Sequence, residues 1–150
     1  MITYHMNHKG KGYLCRPGKK MIFACSGASD TGEITDRVAR RLSKEGLGRM
    51  FCLAGIGGWV NWILTSTNKA SKILIIDGCH LNCAQKTLEH SGFEEFEHIC
   101  LADLGLEKGK SPVTEEIVDA VTCHIRGLAM YLWNTEDQGR LTESSTIEKQ

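Results

Sequence analysis

The stretch that most constrains this chain is Lys72–Asp77, KILIID, followed at once by Gly78 and Cys79. Four consecutive apolar residues that end on a carboxylate and a glycine read as a strand buried on both faces. The residues behind the glycine, Leu81, Ala84 and Leu88, lie at helical spacing, and Gly92 supplies a stop. A strand that feeds a helix through a glycine turn is half of a βαβ unit. In an open α/β sheet the carboxyl ends of such strands are where ligands bind.

The same alternation runs through the rest of the chain. Met21–Cys25 (MIFAC) reads as a first buried strand, and it breaks into the small-residue loop SGASDTGE. Asp30 offers an N-cap there, with Glu33 three residues later completing a capping-box pattern. Ile34, Val38, Ala39 and Leu42 mark one helical face, Glu33/Arg37 and Asp36/Arg40 form i,i+4 pairs on the other, and Gly46 ends the helix. Arg49–Ala54 (RMFCLA) reads as a second strand, opening into GIGG and a short helix that ends near Asn68. Phe96–Leu101 alternates and makes a fourth strand. Ser111 then caps a long helix with Pro112 in its first position, and Ile117, Val121, Ile125, Leu128 and Leu132 continue its apolar face.

This order, β-α repeated, predicts a single α/β domain over residues 21–134. It is Rossmann-like and doubly wound, with helices on both faces of a mostly parallel four-stranded sheet of strand order 2-1-3-4. At 150 residues the chain is long enough for one core. Residues 1–20 carry Lys9, Lys11, Arg16, Lys19 and Lys20 with no acid and no regular period, and read as a basic arm. Residues 135–150 turn polar and read as a frayed tail.

Formal net charge is zero, which removes any overall electrostatic case for nucleic acid. No apolar run approaches the roughly 20 residues of a membrane span, and the N-terminal stretch lacks the apolar core of a secretory signal. The expected location is the cytoplasm. There, seven cysteines point to metal ligands or reactive thiols rather than a disulfide framework.

Four of the seven fall in related positions. Cys25 ends the first predicted strand, Cys52 lies late in the second, and Cys79 and Cys83 follow the third. In a parallel sheet those strand ends share one edge. A tetrahedral four-thiolate zinc needs sulfurs about 3.8 Å apart, given Zn–S near 2.3 Å. Cys79 and Cys83, four apart on a helix, would supply one half of such a site. Neighbouring strands would supply the other, and helix N-termini there favour thiolate. A mid-strand Cys52 could instead point into the core, and C-x3-C is a weak spacing by itself.

CSGAS at 25–29, CLAGIGG at 52–58 and DGCHLNCA at 77–84, in this order, resemble the DGC-domain family, whose name comes from the Asp-Gly-Cys motif found here at Asp77-Gly78-Cys79. The resemblance runs from about Met21 to Gly105. It implies bound Zn2+, with Cys25, Cys52, Cys79 and Cys83 as the chelating set. His80 departs from it, since members commonly carry proline at that position; here it could loosen the turn or add a nitrogen ligand.

The remaining candidates weigh less. Cys100 reads as core, though its strand could end beside the site. Cys123 reads as packing on the long helix, and Cys15 as a free thiol in the arm, which also holds His5 and His8. His90 reads as a helix-terminal charge partner, and His98 and His124 as surface or core groups. Asp77 would orient the Cys79 turn by accepting backbone N–H bonds, with a general-base role as the alternative. Ser26 and Ser29 sit in a loop that could hold an anion, but neither it nor GIGG is a nucleotide fingerprint. Trp59 and Trp62 read as packing over the sheet.

The functional expectation is a zinc-binding protein with a structural, sensing or metal-handling role, because four cysteines leave no open metal position. The alternative is an enzyme, either with three cysteines on zinc and an open fourth place, or with a metal-free thiolate in sulfur transfer or redox chemistry. Four thiolates would also suit an iron–sulfur cluster, but none of the usual cluster spacings is present. A protein partner, or a small thiol or anion, is the expected ligand class, with no membrane and no nucleic acid.

Overall fold

The computed structural model describes residues 3–6, 12–15 and 19–143, with side-chain surroundings over 19–134. Its main sheet has four parallel strands: β3 (Lys19–Ala24), β4 (Arg49–Met50), β5 (Ala70–Asp77) and β6 (Glu97–Cys100). They are ordered β4-β3-β5-β6, the expected 2-1-3-4 arrangement. The helices are α1 (Asp30–Lys44), α2 (Leu53–Gly57), α3 (Asn61–Thr67), α4 (Cys83–His90) and α5 (Glu115–Glu143). Ahead of the sheet, β1 (Thr3–Met6) and β2 (Gly12–Cys15) pair antiparallel as a separate hairpin, where the sequence pattern suggested no regular structure.

Strand alternation divides the core into two layers. On one face Ile22, Ala24, Leu74, Ile76 and Ile99 pack against α1 and α5 through Ile34, Val38, Leu42, Val118, Ile125 and Trp133. On the other, Met21, Phe23, Ile73 and Ile75 pack against Ile56, Ile63, Ala84 and Leu88 of α2, α3 and α4. With both faces covered, the central stretches of β3 and β5 must be apolar, as MIFA and ILII are. The result is a three-layer α/β fold of Rossmann-like type.

Several elements begin or end elsewhere than the sequence pattern predicts. The N-cap of α1 is Ser29, whose side chain accepts the Gly32 N–H, so Asp30 is the first helical residue. The Asp30 carboxylate is used differently. It accepts N–H bonds from Thr31, Gly109 and Ser111, which fastens the loop before α5 to the start of α1. Ser111 is therefore not the cap of α5. Its hydroxyl closes a turn with Glu107, and Thr114 caps α5 by accepting from the Ile117 N–H. The same helix continues to Glu143, past the residue where the polar tail was expected to start. The exposed pairs Glu33/Arg37 and Asp36/Arg40 form as spaced, at 3.6 and 2.6 Å.

Candidate metal centre

The second strand is only two residues long. After Met50 the chain leaves the sheet, and Cys52 becomes the N-cap of α2, with its Sγ accepting the Gly55 N–H at 3.3 Å. Cys52 is exposed and does not point into the core. Cys25 is the first residue beyond β3, and its backbone N–H donates to Ile76 O of β5 at 3.0 Å. Its thiol lies 3.4 Å from Thr35 Oγ1. Because the Thr35 hydroxyl gives its own proton to Gly32 O, at 2.7 Å, the Cys25 S–H is the donor in that contact.

Both thiols line one cleft of about 900 Å³ at the C-terminal edge of the sheet, together with Ser26, Asp36, Arg40 and Lys44. Asp36 accepts from the Ser26 hydroxyl and from Arg40. The Arg40 guanidinium holds the Asp36 carboxyl below its ordinary range.

Cys79 and Cys83 bracket the next turn. Cys83 opens α4, but Cys79 precedes the helix, so the two are not neighbours on one helical face. Asn82 between them is left-handed (φ 51°), and its N–H closes a turn onto Cys79 O. Asn82 Oδ1 is buried without a hydrogen-bond partner among the described residues. Neither Cys79 nor Cys83 lines the cleft shared by the other two.

The carboxylate of Asp77 holds this turn in place. Asp77 is 1% exposed, and its two oxygens accept the backbone N–H groups of Ala84 (2.9 Å) and Gln85 (3.0 Å). Asn82 makes no side-chain cap, so Asp77 caps α4 from the end of the strand. His98 Nε2 lies 3.1 Å from the same carboxylate. Beside it, Gly78 passes so close to α1 that a Cβ there would lie 2.9 Å from both the carbonyl carbon and oxygen of Thr31. The glycine of the Asp-Gly-Cys motif is thus required by backbone contact, and the aspartate by the helix start.

As the side chains stand, the described residues whose ligand atoms meet within 4.8 Å of one another are His80, Cys100 and Asp103, not the four cysteines. Cys100 is buried, as expected of a core thiol, and burial pushes it up from its ordinary pKa. The Asp103 and Asp77 charges add to that shift, and the N–H groups of Ala102 and Asp103 oppose it. The sequence reading had no role for Asp103; its only signal was its place three residues beyond Cys100. Cys123 is exposed, not packed. Trp59 and Trp62 are also exposed, at 67% and 63%, with Trp62 edge-on to Phe51 rather than lying over the sheet. Cys15 lies in β2, and its side chain, like those of His5 and His8, is outside the described surroundings. Among the described residues no helix is long and apolar enough to cross a membrane.

Comparison with known proteins agrees with the motif reading. The chain is 33% identical over 88 residues to the anaerobic and virulence modulator AnvM of Pseudomonas aeruginosa, an alignment covering 59% of this chain and 67% of that protein. No solved structure matches. The DGC domain profile matches residues 21–125, from the core of β3 into α5, with Asp77-Gly78-Cys79 at the centre of the sheet edge just described. The chain belongs to the DGC domain family.

Proposed function

We propose that this protein binds one zinc ion through Cys25, Cys52, Cys79 and Cys83, and that the ion serves a structural, sensing or metal-handling role. The observation that carries the reading is positional. Each cysteine lies within two residues of the C-terminal end of a parallel strand or opens the helix that follows it. Four thiols separated by up to 58 residues, from Cys25 to Cys83, thereby occupy one edge of one sheet.

The residues present fit zinc chemically. Four thiolates make a closed tetrahedral set, and in the turn between Cys79 and Cys83 the buried Asn82 Oδ1 has no hydrogen-bond partner among the described residues. Closure requires the side chains of Cys79 and Cys83 to turn toward the cleft holding Cys25 and Cys52. Cys83 is exposed and Cys79 is half-buried, so neither side chain is locked in the core. Thiols must lose their protons to bind zinc, so zinc binding releases protons and weakens in acid. The related P. aeruginosa protein is named a modulator, which favours a sensing or regulatory role over catalysis.

The test is elemental analysis of protein purified without added metal, with thiols counted by alkylation before and after unfolding. One zinc per chain with four thiols protected until unfolding is expected, and Cys25→Ser or Cys79→Ser should lower zinc content and stability together. Undiminished zinc in both variants would refute the reading. One zinc with a single site cysteine still alkylatable would favour an open metal position and an enzyme.

A further inference from the structure

The geometry points to a second, separate divalent-metal site built from His80, Cys100 and Asp103, which none of the four strand-end cysteines enters. The sheet register creates it. Asp77 of β5 lies opposite Cys100 of β6. Three residues beyond Asp77 the chain reaches His80, and three residues beyond Cys100 it reaches Asp103. The latter step is a single 3-10 turn over Leu101–Leu104, closed by left-handed Gly105 (φ 86°), and such a turn stacks i over i+3. Two parallel strands that end side by side therefore bring a nitrogen, a sulfur and an oxygen donor together.

Their ligand atoms lie within 4.8 Å of one another, and His80 Nε2 is already 2.9 Å from Asp103 Oδ1. Tetrahedral zinc separates such donors by about 3.3–3.8 Å, from metal–ligand bonds near 2.0–2.3 Å. Contraction of at most about 1 Å on the sulfur side, and slight opening of the His80–Asp103 pair, would complete the triangle. Both those side chains are largely exposed and can adjust. Cys100 is 4% exposed and anchored at the strand end, so it sets the position of the site.

Charge supports a cation here. A Cys100 thiolate and the Asp103 carboxylate together carry −2, which one divalent ion balances. Asp77, buried alongside, adds negative potential from behind the ligands. Burial with two nearby carboxylates makes Cys100 a poor free nucleophile, so a cysteine-histidine catalytic pair is the weaker use of the same residues. Three protein ligands of mixed type leave a fourth position for water or an exogenous donor. The site suits zinc or cobalt better than calcium or magnesium, which favour all-oxygen shells.

The test is a Co2+ titration of the full chain, followed by thiolate-to-cobalt charge-transfer absorption and by stoichiometry, in wild type, His80→Ala, Asp103→Asn and Cys25→Ser. His80 and Asp103 are exposed, so the first two variants should fold normally, as circular dichroism would check. Two equivalents are expected in wild type. The second should weaken about a hundredfold or more in His80→Ala and Asp103→Asn, since losing even an outer-shell partner costs 10–100-fold, and it should persist in Cys25→Ser. A single equivalent in wild type that Cys25→Ser removes and His80→Ala leaves intact would overturn this inference while sparing the four-cysteine reading. A single equivalent lost in His80→Ala but kept in Cys25→Ser would do the reverse. Equal binding in wild type, His80→Ala and Asp103→Asn overturns the second site whatever the total.

Discussion

Replacing Asp77 with alanine tests the central mechanical claim, that a strand-end carboxylate sets the start of α4. The substitution leaves two backbone donors without acceptors, the buried Ala84 N–H and the half-buried Gln85 N–H. An orphaned buried donor costs about 1–3 kcal/mol, and loss of a helix cap typically about 1. Water can reach the Gln85 N–H in part, so the sum falls near 3 kcal/mol rather than at the upper limit. At about 2–4 °C per kcal/mol for a chain of this size, the expected fall in Tm is about 6–12 °C. Asp77→Asn retains one acceptor oxygen of the right reach and should cost about half as much. The assay is urea and thermal unfolding at pH 7 with chelator present, so that metal affinity does not enter. An Asp77→Ala variant within about 0.5 kcal/mol of wild type would refute the argument. A cost for Asp77→Asn equal to that of Asp77→Ala would show that the negative charge, not the pair of bonds, is what matters.

Two further outcomes follow from close contacts and from proton linkage. Gly78→Ala should destabilise by about 1–3 kcal/mol in denaturant unfolding, because the new Cβ would meet Thr31 backbone atoms at 2.9 Å and neither partner is a movable side chain. Hydrogen bonds from Gly109, Thr31 and Ser111 hold the Asp30 carboxyl below its ordinary value of 3.8. Its stabilising contribution is therefore complete above the unfolded pKa and fades as pH falls through the lower folded one. Asp30→Asn should flatten the acid limb of a stability–pH profile, and an unchanged limb would argue against the link between α1 and the loop before α5.

The parallel sheet and its order were legible because MIFA and the ILII of Ile73–Ile76 are apolar without interruption, a pattern few other environments produce. The edge occupied by the four cysteines followed from that topology. What misled was local. RMFCLA is too short for its period to separate strand from helix; the strand in fact stops at Met50, and Cys52 caps a helix instead of ending a strand. Cys79 and Cys83 have helical spacing, but left-handed Asn82 starts the helix only at Cys83. Asp30 satisfies a capping pattern, yet the loop before α5, about 80 residues away, claims its carboxylate, and that competition exists only in three dimensions. Asp103 was hidden for the same reason, since its partner His80 comes from another strand end.

The unequal strand lengths have a bearing on solubility. A two-residue β4 and a four-residue β6 flank interior strands of six and eight residues. Another chain that approached either border would find only a short row of backbone groups with which to extend the sheet. Truncated borders of this kind are a recognised defence against edge-to-edge aggregation, and here they allow the centre of the sheet to be strongly apolar without presenting a long template to its neighbours.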